Sequence, residues 1–132
     1  MAPLRVLVVD DTAQVRRDLR SMLALCGGIE VVGEAGNGQE AIQQERILAP
    51  DVVLMDLAMP VMDGFEAAQR IKGRRPGCRI VALSVHAGDE DRRLAFLAGV
   101  DAFVVKGAPV ATLMESLHGG PSTEPTPSGD AT

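Results

Sequence analysis

Between Leu4 and Leu117, five short aliphatic runs alternate with five segments that can be helical. The first run, Leu4–Val9, is apolar at every position except Arg5, the pattern of a strand covered on both faces. Ile29–Glu34 is more polar and suits the edge of a sheet, while Val52–Met55, Arg79–Leu83 and Ala102–Val105 complete the set of strands. Val15, Leu19, Met22, Leu23 and Cys26 fall at helical spacing, and Gly27-Gly28 stops that helix. The turn Gly36-Asn37-Gly38 leads into a helix over Gln39–Leu48 that ends near Pro50. Asp63-Gly64 opens a third helix, capped by Asp63, which must finish before Pro76-Gly77. Asp89–Ala98 is a fourth, closed by Gly99, and Pro109 suits the first turn of a fifth with Val110, Leu113, Met114 and Leu117 as its apolar stripe.

Strict alternation of strand and helix with short connections implies a parallel sheet, helices on both faces and right-handed crossovers. Sheets of this kind bind ligands at the carboxyl ends of their strands, where the strand order reverses. Those ends carry Asp10-Asp11, Asp56, Ser84 and Lys106. Beyond residue 118 the composition changes to GGPSTEPTPSGDAT, with one Ala as its only aliphatic residue. Such a segment buries too little apolar area to offset its ordering entropy, so residues 1–118 are expected to form one domain and 119–132 a flexible tail or linker. No internal repeat is present.

Apolar residues make up 46% of the 132, enough for a substantial core, and they are aliphatic: Trp and Tyr are absent and Phe65, Phe96 and Phe103 are the only aromatics. Three aromatics are too few for base-stacking recognition of single-stranded nucleic acid. A net charge of −5 opposes direct binding to a phosphate backbone. Arg16, Arg17 and Arg20 share one helix and are read as a solvated face. Cys26 and Cys78 have neither C-x-x-C spacing nor a His partner, and are read as reduced, buried thiols of a cytoplasmic protein. Asp10 and Asp11 cut the N-terminal apolar run, leaving it too short for a signal peptide core or a membrane span.

Three carboxylates converging on one crevice repel one another, and left bare at least one has its pKa raised. A hard divalent cation relieves that repulsion; Mg²⁺ takes near-octahedral oxygen ligands, with one or two carboxylates, waters and phosphate oxygens. A carboxylate can attack phosphorus to give an aspartyl phosphate, whose charge a Lys ammonium can balance. Each residue also has a plainer reading. Asp10 and Asp11 could cap the first helix, Ser84 could be a satisfied strand-end hydroxyl, Phe103 core packing, and Lys106 an ordinary surface lysine. His86 and His118 are read as facing solvent, and Met55, Met59 and Met62 as packing.

Taken in register, VVDD at 8–11, VVLMDLAMPVMDG at 52–64, LSV at 83–85 and FVVK at 103–106 resemble the receiver domains of bacterial two-component response regulators. The resemblance implies a flavodoxin-like (βα)5 fold, a doubly wound parallel sheet of strand order 2-1-3-4-5. It implies Asp56 as phosphoacceptor, charged by a sensor histidine kinase or a small phosphodonor. Mg²⁺ (or Mn²⁺) would be held by Asp11, Asp56 and the backbone carbonyl of Ala58, with Asp10 acting through a water. Lys106 would pair with the phosphoryl oxygens and Ser84 would donate its hydroxyl to them, with Phe103 swinging inward behind it. Ala58 and His86 occupy the positions that tune phosphoryl lifetime. The face made by the fourth helix, fifth strand and fifth helix would report the change and could pair two copies as a homodimer. A receiver is a signalling domain rather than an enzyme, catalysing only its own phosphotransfer and dephosphorylation.

Gly107 stands where many receivers have a cis-proline, and Lys106-Gly107-Ala108 resembles receivers that precede LuxR-type helix-turn-helix output domains. The tail is therefore expected to lead to a DNA-binding output domain, a stand-alone single-domain receiver being the alternative. A phosphatase of the haloacid-dehalogenase type also forms an aspartyl phosphate, but it needs Asp-x-Asp at the first strand, and position 12 is Thr. A dinucleotide site is unsupported, because no G-x-G-x-x-G follows the first strand.

Overall fold

A computed structural model describes residues 2–59, 61–85 and 88–119. The elements run β1 (Leu4–Val9), α1 (Ala13–Leu25), β2 (Ile29–Ala35), α2 (Gly38–Leu48), β3 (Val52–Asp56), α3 (Gly64–Arg74), β4 (Arg79–Ser84), α4 (Asp89–Leu97), β5 (Ala102–Val105) and α5 (Val110–Leu117). The strands form one parallel sheet, as the alternating pattern predicts, in the order β2-β1-β3-β4-β5 that the receiver resemblance implies. The proposed tail from residue 120 onward and His86 lie outside the described residues.

Because side chains alternate across a strand, each strand feeds two separate cores. Val6, Val8, Leu54, Val81, Leu83 and Val104 pack with Leu23 of α1 and Leu113 and Leu117 of α5. Leu7, Val9, Val53, Met55, Ile80, Ala82 and Phe103 pack on the other face, against Ala41 of α2, Ala67, Ala68 and Ile71 of α3 and Ala95 of α4. β3 is buried at every position, which explains its unbroken aliphatic run.

Three strands extend one residue beyond the ranges expected from the sequence: β2 takes in Ala35, and β3 and β4 run past their aliphatic runs to Asp56 and Ser84. Parallel pairing is a backbone property and continues past the point where the side chains turn polar: Asp56 is in register with Leu83, and Ser84 with Val105. Asp63 caps α3 as expected, accepting from the Glu66 N–H at 3.0 Å, and Asn37 caps α2 in the same way. Neither Asp10 nor Asp11 caps α1. Its N-cap is Thr12, whose own side chain makes no capping bond.

Two details depart from the sequence reading. Cys78 is buried, but Cys26 at the end of α1 is only partly so, with its thiol on the Met22 carbonyl. The α1 arginines are not simply solvated: Arg16 and Arg20 both pair with Glu34 of β2, and Arg16 is largely covered.

Two ties join α2 to the segment after β3. Gly38 donates its N–H to the Met62 carbonyl at 2.8 Å, an approach a Cβ would block, since it would lie 2.4 Å from that oxygen. At the other end of α2, the wholly buried Glu45 carboxylate is held by Arg74 and Arg75, which follow each other at the close of α3. Among the described residues, no helix is long and apolar enough to cross a membrane.

Candidate functional site

The strand order places the ends of β1 and β3 side by side, Val9 in register with Met55, so the next residue of each strand, Asp10 and Asp56, meets across the ladder. Asp11 follows at the mouth of the crevice. Carboxylate oxygens of Asp10, Asp11 and Asp56 all lie within 4.8 Å of one another, with Asp10 and Asp56 buried and Asp11 exposed. Lys106 directly follows β5, which lies two strands from β3. Its N–H continues the ladder by donating to the Ser84 carbonyl at 2.8 Å. Its side chain then crosses the end of β4, bridging part of two strand spacings of about 4.8 Å each. The ammonium ends 3.2 Å from Asp10 Oδ2 and 3.4 Å from Asp56 Oδ2.

Each buried carboxylate also has a local donor that fixes its orientation. Asp10 Oδ1 accepts the Thr12 N–H at 2.9 Å and Asp56 Oδ1 accepts the Ala58 N–H at 3.1 Å. The remaining Asp56 oxygen faces Lys106, and Asp11 makes no hydrogen bond or ion pair with any described residue.

Three carboxylates against one ammonium leave the cluster with an excess of negative charge. Burial raises the Asp56 pKa above the ordinary carboxylate value; the Ala58 N–H and the Lys106 charge hold it down only in part, and the Asp10 charge pushes it further up. Burial alone would lower the Lys106 pKa, but the Asp56 and Asp10 carboxylates outweigh it and the ammonium is held more tightly than usual. The donor set, hard anionic oxygens with one exposed member and surplus negative charge, fits a divalent cation such as Mg²⁺.

Ser84 is buried at the end of β4 and, with Leu57, Ala58, Met59, Asp63, Phe65 and Asp91, lines an open cavity of about 470 Å³ beside Asp56. Phe103 is wholly buried, with the Arg92 guanidinium of α4 4.9 Å above its ring, so the ring already occupies the inward position and also serves as core packing. Ala58 is exposed at the lip of the site. The structure therefore gathers Asp10, Asp11, Asp56 and Lys106 at one point, with Ser84 and Ala58 at its rim and Phe103 in the core between the sheet and α4.

Arg16 was not legible as a site residue. Its guanidinium donates to the Asp10 carbonyl at 2.6 Å and to Glu34 at 3.0 Å. The readable signal was only the lean of helical side chains toward the helix N-terminus, which brings a residue of the first turn over the preceding loop.

Residues 6–118 match the response regulator receiver domain family, and the chain belongs to it. It is similar to the response regulator GacA of Pseudomonas viridiflava, 39% identical over 115 residues, covering 87% of this chain and 54% of that protein. It is also similar to the nitrate/nitrite response regulator protein NarL of Escherichia coli K12, 34% identical over 116 residues, covering 88% of this chain and 54% of NarL. Among solved structures, a LuxR-family two-component response regulator from Aurantimonas sp. SI85-9A1 superposes with a TM-score of 0.86 at 32% identity, covering 94% of this chain and 91% of that one. The chain spans about half the length of the curated relatives it matches.

Proposed function

We propose that this receiver accepts a phosphoryl group on Asp56 from a sensor histidine kinase or a small phosphodonor such as acetyl phosphate. The observation that carries the reading is the placement of the Lys106 ammonium between two buried carboxylates, Asp10 and Asp56, at the carboxyl edge of the sheet. A carboxylate oxygen of Asp56 attacks phosphorus, the bond from phosphorus to the donor's nitrogen or oxygen breaks, and an acyl phosphate forms. The Ala58 N–H and Lys106 hold the Asp56 carboxylate in place for attack, and Lys106 then offsets the charge of the incoming oxygens. Asp10, Asp11, Asp56 and the Ala58 carbonyl would hold Mg²⁺ (or Mn²⁺), which when bound neutralises the carboxylate cluster and the transferring phosphoryl group.

Ser84 donates its hydroxyl to the phosphoryl oxygens, and the new bonds bias Phe103, the Arg92 guanidinium above it and so α4. Exposed Leu94 and Leu97 on α4 and Val110 on α5 support pairing of two copies through α4, β5 and α5. The half-length match to response regulators such as NarL supports a cytoplasmic role in controlling a DNA-binding output domain. His86 and Ala58 would set the lifetime of the acyl phosphate.

The test is incubation with acetyl phosphate and Mg²⁺ followed by intact mass of wild type and Asp56→Asn. One phosphoryl group gained by wild type alone is expected. Labelling that persists in Asp56→Asn would sink the assignment, and continuous turnover of a phosphate ester would move the chain to the phosphatase class.

A further inference from the structure

The exposed Asp11 carboxylate has no described partner to aim it, so its direction is set by the backbone that carries it. That backbone is anchored at each step. The Asp10 N–H donates to the Ala35 carbonyl at 3.1 Å, the Thr12 N–H to Asp10 Oδ1 at 2.9 Å and the Arg16 N–H to the Thr12 carbonyl at 3.1 Å. One peptide unit lies between these anchors, the one joining Asp10 to Asp11. Its carbonyl accepts from Arg16 Nη1 at 2.6 Å. Arg16 in turn is held through Nε by Glu34 at 3.0 Å, and Arg20, one turn further along α1, steadies Glu34 from its other oxygen at 3.1 Å.

We propose that Arg16 is a positioning residue for the cation site. By clamping the Asp10–Asp11 peptide plane against the end of β2, it points the Asp11 carboxylate at the oxygens of Asp10 and Asp56. It does so through shape, because the planar guanidinium fork spans two acceptors at once, which an ammonium of the same charge cannot reproduce. This inference rests on the phosphoacceptor reading of the site.

Charge and positioning predict opposite signs here. Arg16 is a cation near a cation site, so its charge repels Mg²⁺ and removing it would tighten binding. Loss of a partner that orients a ligand instead weakens metal affinity by roughly 10–100-fold. The experiment is Mg²⁺ titration by isothermal calorimetry of wild type, Arg16→Ala, Arg16→Lys and Glu34→Gln. It is paired with hydrogen exchange of the Thr12 amide, which is protected by its bond to Asp10 Oδ1, in metal-free protein and a thermal melt of each variant. Arg16→Ala is expected to weaken Mg²⁺ by at least about tenfold. Arg16→Lys should also weaken it, although the charge is kept, and Thr12 amide exchange should accelerate in both before any metal is added. Glu34→Gln keeps an acceptor for Nε and should change affinity by less than about threefold, the ordinary scatter of a retained contact.

Unchanged or tighter binding in Arg16→Ala, or wild-type affinity and exchange in Arg16→Lys, would overturn the positioning role while leaving the site assignment standing. If Arg16→Ala does not fold, the Lys and Gln variants still decide between shape and charge. Wild type that fails to bind Mg²⁺ at millimolar concentration would overturn this proposal and the phosphoacceptor reading together.

Discussion

A Cβ placed on Gly64 would lie 2.5 Å from the backbone carbonyl oxygen of Asp56 and 2.8 Å from the Leu57 Cα. The first residue of α3 is thus pressed against the peptide that carries the reactive side chain, and its N–H donates to the Leu57 carbonyl at 3.1 Å. Both obstructing atoms are backbone, so neither can rotate aside. Gly64→Ala is expected to cost roughly 1–3 kcal/mol of folding stability, the range for overpacking a tight site. It should also slow labelling by acetyl phosphate, since the strain relaxes at Asp56. Urea unfolding and initial labelling rates check the two effects separately.

The raised pKa of Asp56 gives a stability prediction with a definite sign. The fold favours the protonated form, so this group's contribution is fully present below the ordinary value of 3.8 and is lost as pH rises through the folded pKa. In EDTA at neutral pH, Asp56→Asn should therefore melt at a higher temperature than wild type. The gap should close as pH falls toward 3.8. Saturating Mg²⁺ should narrow or reverse it at neutral pH, because the cation stabilises whichever protein binds it better. A wild type more stable than Asp56→Asn at neutral pH without metal would contradict the buried-carboxylate argument.

Removing the Lys106 ammonium takes away the cation that faces both buried carboxylates. Lys106→Met should lower the initial rate of labelling by about 100-fold, the usual effect of losing a single placed charge or donor at a reacting group. Mg²⁺ affinity should rise in the same variant, because a competing cation has left. A loss of rate accompanied by loss of Mg²⁺ binding would point to collapse of the site instead.

Val61, in the loop after β3, has φ +70°, a left-handed backbone in a β-branched residue, and its side chain is exposed. The strain of such a position is of the order of 1–3 kcal/mol. The extra chain entropy of glycine offsets about 0.5–1 kcal/mol of that relief. Val61→Gly is expected to stabilise the fold by about 1 kcal/mol in urea unfolding, since no buried contact is given up.

Much of this architecture could be read directly. Unbroken aliphatic runs such as Val52–Met55 mark strands covered on both faces, and the acidic and basic residues just beyond them mark the crevice, because parallel sheets expose their carboxyl ends. What escaped the reading depended on long-range geometry. Hydropathy stops at Met55 although the ladder carries on through Asp56. Arg16 has the spacing of a solvated helical residue, and only the fold brings Glu34 and the Asp10 carbonyl to it. Nothing in a valine signals a left-handed backbone; the turn imposes it at Val61.

The paired ties on α2, Gly38 to the Met62 carbonyl at one end and Glu45 to Arg74 and Arg75 at the other, make α2 and α3 a braced flank. Such a flank resists displacement because any sliding must break a backbone bond or strand a buried charge. Under the phosphoacceptor reading, strain introduced at the crevice would fall on the other side of the sheet, toward β5 and α4, as the load on a gate falls on the hinge and not on the wall.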